Sequence, residues 1–175
     1  MPTTVPIAEP LIRENIVRAV ADVFKTMLGR PVHFQPADAA NAAGTPPPST
    51  PTFASRQVVG TVGFLGDANG LIYLYFDETF ASQCTGGMLG MDERELAEAG
   101  PDAVNDAIGE ITNMVVGSFK NGLCDAGFPC KLTIPSILRG SNFSVEPTGS
   151  AQRHVFRFDC RGHRIVADVL LKSED

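Results

Sequence analysis

The 175-residue chain, 18.6 kDa with 43% apolar residues, is sized for one domain with one sizeable core rather than for two. Fourteen Lys plus Arg against 20 Asp plus Glu leave a net charge of −6 and a pI near 5.0, which argues against a surface built to coat phosphate backbones or anionic lipid. No run approaches the ~20 consecutive apolar residues of a membrane span, and Met1 to Glu14 has neither a basic region nor an apolar signal segment. The expectation is a cytoplasmic chain that engages neither nucleic acid nor membrane.

In chain order, the first helical pattern runs from Pro10 to Leu28. Leu11, Ile12, Ile16, Val17, Val20, Val23, Phe24, Met27 and Leu28 form its apolar stripe, Pro10 suits a first helical position, and Gly29 with Pro31 supplies the stop. From Gln35 to Thr52 the chain turns to Ala, Pro, Thr and Ser, with Pro46, Pro47 and Pro48 in succession. Such composition favours extended, solvated backbone, so residues 35–52 are expected to be a mobile insertion within a single domain.

Gln57 to Leu65 and Leu71 to Phe76 are β-branched and aromatic, and the turn chemistry of Gly66-Asp67-Ala68-Asn69-Gly70 makes them a hairpin whose second strand is central. A short helix is expected from Asp77 to Leu89. Asp92 and Glu95 have capping spacing for a further helical turn or two. After a long helix described below, Cys130 to Ile134, Asn142 to Glu146, His154 to Cys160 and Ile165 to Leu171 read as four strands. The last two are joined by the turn Arg161-Gly162-His163-Arg164. The result is an α+β fold with a mostly antiparallel sheet and long helices packed on it.

The long helix opens at Gly100-Pro101-Asp102 and runs to about Leu123. At about 100° per residue, Val104, Ile108, Ile111, Val115 and Phe119 share the buried sector. Asp106, Glu110, Asn113 and Gly117 form a polar line on the opposite side. Most amphipathic helices carry a solvated polar face, and taken alone this line is one. Two details set it apart. Asn is a mediocre helix former, and Gly109 and Gly117 flank the pair at about 1 kcal/mol each relative to Ala. Those glycines leave room for another molecule's backbone, or allow close packing within the domain.

Cys84, Cys124, Cys130 and Cys160 form no C-x-x-C pair and have no His at a zinc-like spacing, so buried free thiols are expected. His33, His154 and His163 are equally scattered and support no histidine-based site.

Asp106, three residues, Glu110, two residues, Asn113, twenty-one residues, Pro135: this spacing resembles the signature of the CheC/CheX/FliY phosphatases of bacterial chemotaxis. The likeness to CheX extends from Pro10 to Leu171 outside the insertion, through Val23 to Gly29 and Ala107 to Met114, and Pro135 is expected to end a strand. A second Glu-x-x-Asn does not occur, as in single-site CheX members.

The resemblance implies a CheX-like fold and a phosphatase that hydrolyses the aspartyl phosphate of a CheY-like response regulator. Asn113 would orient the attacking water and Glu110 would bind the receiver's active-site lysine. Asp106, Gly117 and Pro135 would support them. It further implies a homodimer and no intrinsic cofactor or metal site, with Mg2+ held by the receiver's own carboxylates. The alternative is a non-catalytic module of the same fold that docks a receiver or a flagellar-switch component.

Overall fold

The computed structural model describes residues 6–36, 53, 55–142, 144–147, 149 and 151–172. The Pro-rich insertion expected at 35–52 lies outside the described residues from 37 onward, while Gln35 itself belongs to a strand.

Helix α1 (Glu9–Leu28) buries Ile12, Ile16, Ala19, Val20, Val23 and Phe24, the inner half of its apolar stripe. Leu11, Val17, Met27 and Leu28 pack around the margin. Gly29 closes the helix at φ 60, a left-handed conformation that glycine takes without a Cβ penalty. A three-residue strand, β1 (His33–Gln35), follows; nothing so short announces itself by alternation.

Strands β2 (Gln57–Gly66) and β3 (Gly70–Asp77) form the expected hairpin, paired from Gln57↔Asp77 to Phe64↔Gly70. Asn69 holds its turn: the Gly66 N–H donates to Asn69 Oδ1 at 3.0 Å, and Asn69 Nδ2 donates back to the Gly66 carbonyl at 3.1 Å. Helix α2 (Glu78–Leu89) is capped by Asp77, which accepts from the Phe80 N–H at 2.7 Å. Helix α3 (Glu93–Ala99) is capped by Asp92, which accepts from the Glu95 N–H at 2.8 Å. Side-chain oxygens thus satisfy helix N–H groups that have no partner within the helix.

After the long helix α4 (Pro101–Asp125) come β4 (Cys130–Leu132), β5 (Ser136–Gly140), β6 (Ala151–Cys160) and β7 (His163–Lys172). Two expectations are corrected here. The strand from Cys130 stops at Leu132 rather than Ile134, and the strand placed at 142–146 is instead β5, at Ser136–Gly140. Asn142, at φ 56, is in a bend that an extended strand does not tolerate.

All pairings are antiparallel, and the seven strands run β1-β6-β7-β3-β2-β4, with β5 also on β2. Central β3 carries Ile72, Leu74 and Phe76 on one face and Tyr75 on the other, all buried. Helices α1, α2 and α4 cover the first face, where Phe24, Phe76, Phe80, Ile108, Phe119 and Phe158 belong to one core. Across the sheet, Val59, Tyr75 and Val166 form a smaller cluster, with Phe53 stacked on Tyr75 at 4.7 Å. On that same side Arg153 Nε donates to Asp168 Oδ1 at 3.1 Å; both residues are inside the protein.

Candidate functional site

Helix α4 is held at three levels, twice against the sheet and once against α1. At its first turn, Arg139 of β5 reaches across: Nε donates to Asn105 Oδ1 at 2.6 Å and Nη2 to the Pro101 carbonyl at 3.2 Å. At its middle, Thr112 sits over Gly60 of β2, so close that a Cβ on Gly60 would lie 1.9 Å from Thr112 Oγ1. The buried Thr112 hydroxyl is satisfied by donating to the Ile108 carbonyl at 2.7 Å. Near its end, Gly122 admits Asn15 of α1, whose Oδ1 would be 1.8 Å from a Cβ at that position. These contacts fix the roll of the helix. Val104, Ile108, Ile111, Val115 and Phe119 are all buried beneath it, as their spacing requires.

The opposite face presents the polar line. Asp106 and Glu110 are exposed, and Asn113 and Gly117 are partly buried. Among the described residues the side chains of Asp106, Glu110 and Asn113 make no hydrogen bond or ion pair. A carboxylate and a carboxamide three residues apart on a helix have Cβ atoms about 5–6 Å from one another, so both can address one small group on a second molecule. The flanking glycines differ from Gly60 and Gly122. A Cβ on Gly109 would be 3.9 Å from Ile137 Cδ1, and one on Gly117 would be 3.7 Å from Leu132 Cδ1. Both are ordinary contact distances, so internal packing does not require glycine at either place. Gly109 is itself buried and Gly117 only partly so, which leaves the reading of clearance for another molecule open at Gly117 alone.

Pro135 stands on a different element. It lies between β4 and β5, which share β2 as partner but in registers offset by one residue: Phe64 pairs with Leu132, and Thr61 pairs with Ser136. Val62 and Gly63 therefore face three residues, Thr133, Ile134 and Pro135, in a bulge on the edge of the sheet. Proline cannot donate to a ladder, and an edge bulge is where a sheet tolerates one. Thr133 mends the gap by accepting from the Gly63 N–H on Oγ1 at 2.8 Å and donating its own N–H to the Gly63 carbonyl at 2.9 Å. Pro135 thus shapes the edge beside α4 and does not end a long strand.

Elsewhere, burial shifts several groups able to attack or shuttle protons. Burial pushes the Cys84 thiol up to about 12 and the Cys130 thiol up to about 11, which keeps both protonated and poorly nucleophilic. Desolvation depresses His154, and His163 is stacked on Phe80 at 4.7 Å. Burial raises Asp168 despite its Arg153 partner. A cleft bounded by α2, α3 and the start of α4, with Arg30, Glu78, Asp92 and Arg139 in its wall, includes neither Glu110 nor Asn113. Small-molecule chemistry ordinarily occupies a concave pocket. The Glu110 and Asn113 pair instead stands on the polar face of α4, outside that cleft.

The sequence did not announce Arg139, Thr112 or the bulge. Gly60 inside an otherwise β-branched strand was the available signal for a close backbone approach.

Comparison with known proteins gives this arrangement a class: an α+β phosphatase of chemotaxis. The family model described as chemotaxis phosphatase CheX matches residues 58–159, and the chain belongs to that family. No curated protein matches the sequence. Among solved structures, the CheX chemotaxis protein of Vibrio vulnificus is 23% identical, covers 94% of this chain and 97% of its own, and has a TM-score of 0.73. CheX of Desulfovibrio desulfuricans is 22% identical, with 92% and 99% covered and a TM-score of 0.72. A chain of the CheX-CheY-BeF3-Mg2+ complex of Borrelia burgdorferi is 19% identical, with 93% and 98% covered and a TM-score of 0.68. At these identities the structural likeness speaks to the fold.

Proposed function

We propose that Glu110 and Asn113 are the residues with which this CheX-family phosphatase removes phosphate from the aspartyl phosphate of a CheY-type response regulator. The observation that carries the reading is the pair itself, one turn apart on the outward face of a rigidly seated helix with no partner among the described residues. Phosphoryl transfer passes through a loose transition state that asks for little covalent help, so most of the task is to place water in line with the bond being broken. Asn113 does this without being a base: its carbonyl oxygen accepts from the attacking water while its NH2 meets neighbouring oxygens. Glu110 receives a charge-assisted hydrogen bond from the receiver's active-site lysine, which sets the depth and angle of approach. Asp106 supports Glu110 along the same line, Gly117 leaves clearance, and Pro135 shapes the adjoining edge.

Mg2+ belongs to the receiver in this reading, and the complex from Borrelia burgdorferi, which contains CheY, BeF3 and Mg2+ together with CheX, is consistent with it. We further propose that the chain acts as one cytoplasmic domain in a homodimer with two equivalent sites. No described helix is long and apolar enough to cross a membrane.

The test is phosphate release from a phosphorylated receiver with Mg2+. Wild type should accelerate release well beyond the receiver's own decay, and Asn113→Ala should return it to that decay with the fold intact. Equal rates for the two proteins would overturn the assignment.

A further inference from the structure

The residue at the tip of the edge bulge has no role in the fold that its chemistry would justify. Ile134 is 86% exposed, the most exposed of the large apolar side chains described, ahead of Leu65 at 61%. It immediately precedes Pro135 and projects from a stretch that neither continues the ladder nor joins the core. A lone exposed apolar residue is ordinary. Its place is what matters.

Contacts between α4 and the edge fix that place. Leu132 lies opposite Gly117 and Ile137 lies opposite Gly109. The edge therefore runs antiparallel to the helix, and residues 134 and 135, midway between those two contacts, are level with Asn113, midway between the glycines. From Gly109 to Gly117 the helix rises about 12 Å. The edge covers five residue steps over the same length, about 16 Å if fully extended and less with the bulge. The registration therefore holds to within about a residue. The result is a shelf: Glu110 and Asn113 stand on it, partly buried Gly117 leaves it open at one end, and the bulge that carries exposed Ile134 runs along one side.

We propose that Ile134 is an apolar anchor for the receiver, seated against an apolar rim beside the receiver's acyl phosphate. The inference rests on the reading of Glu110 and Asn113 as the pair that meets the receiver. A body large enough to bring an acyl phosphate to the Asn113 carboxamide reaches the bulge level with it, where Ile134 stands 86% exposed and available to be covered. A second copy of this chain seated there would stand over Asn113 and block it, which excludes that occupant for a working phosphatase. Covering Ile134 has two effects. Removing an isoleucine from water favours the complex by tenfold or more in affinity. Expelling water from the shelf also strengthens the Glu110 hydrogen bond, since exposed ion pairs contribute little.

The experiment is steady-state phosphate release by the full chain, with the phosphorylated receiver and Mg2+, for wild type, Ile134→Ala, Ile134→Asp and Ile134→Leu. Binding to the BeF3-treated receiver is measured alongside. Acceleration by wild type over the receiver's own decay establishes the underlying reading separately; without it, that reading fails first. Given it, Ile134→Ala should lower kcat/KM about tenfold, chiefly through KM, and Ile134→Asp should lower it further. Ile134→Leu should restore most of the loss, and binding should weaken in parallel. The proposal is overturned if Ile134→Ala and Ile134→Asp keep the wild-type KM and affinity. It is equally overturned if the loss is in kcat alone, or if sedimentation shows that Ile134→Asp dissociates the chain's own oligomer while receiver affinity is unchanged.

Discussion

Two pairs of glycines line helix α4 and its seat, and they differ in what surrounds them. Beneath and beside it, Gly60 of β2 and Gly122 of α4 itself exist because another side chain occupies the space where a Cβ would be: Thr112 in one case, Asn15 in the other. Gly109, itself buried, and Gly117, partly buried, have only ordinary contacts at 3.9 and 3.7 Å and could accept a methyl group at no steric cost within the domain. The first pair is explained by folding. The second pair is not required by packing, and it flanks Asn113. Under the proposed function, Gly117, the more accessible of the two, keeps the surface low for the receiver where alanine would stabilise the helix by roughly 1 kcal/mol.

Substitutions on the two sides should separate cleanly. The largest effect on activity is expected from Asn113→Ala, which should reduce stimulated phosphate release about 100-fold or more, the scale of losing one interaction made in the transition state. Its circular dichroism and melting temperature should match wild type; a collapsed fold would mean that the outer face is structural after all. Gly60→Val should do the reverse. It forces a branched side chain into Thr112 and should cost about 1–3 kcal/mol or more, read as a melting temperature lower by several degrees at this chain length.

Arg139→Met should fall between the two. Losing the hydrogen bonds to Asn105 and Pro101 removes about 1–3 kcal/mol and loosens the first turn of α4, and hydrogen exchange there should quicken before it does at Ile111 or Val115. Gly117→Ala should raise the melting temperature slightly, by up to about 1 kcal/mol of helix propensity, while raising KM severalfold. Gain in stability with loss of affinity is the sharpest statement of the contrast.

The smallest effect lies across the sheet, far from α4. Burial raises the Asp168 carboxyl above its ordinary value. Its protonated form therefore contributes stability that is fully present below the unfolded value of about 3.9 and is lost as pH rises through the higher folded value. A melting temperature that declines over that window, and a shallower decline for Asp168→Asn with wild-type phosphatase activity, is the expected outcome.

Much of α4 was legible because its two faces repeat at 3.6 residues: Val104, Ile108, Ile111, Val115 and Phe119 are buried, and Asp106 and Glu110 are exposed. The hairpin at Gly66 to Gly70 and the cap at Asp92 were legible for a similar reason, since each is settled by residues within a few positions of one another. What local pattern could not reveal is pairing across distance. Arg139 and Asn105 are 34 positions apart, and nothing near either names the other. Strand β5 was misplaced because the bulge shifts register by one residue and a proline stands directly before it. Alternation read through Ile134 therefore pointed to a longer first strand and displaced the second. Strand β1 pairs, among the described residues, with β6, more than 120 positions away.

The interruption at Thr133, Ile134 and Pro135 has a consequence for colloidal behaviour. An uninterrupted edge strand invites a stranger's backbone to zip along it and seeds polymers. Here the edge is split between β4 and β5 by the bulge, and Pro135 offers no donor, so an incoming strand finds no continuous template beside α4. The irregularity that would greet one chosen visitor also turns away unchosen ones.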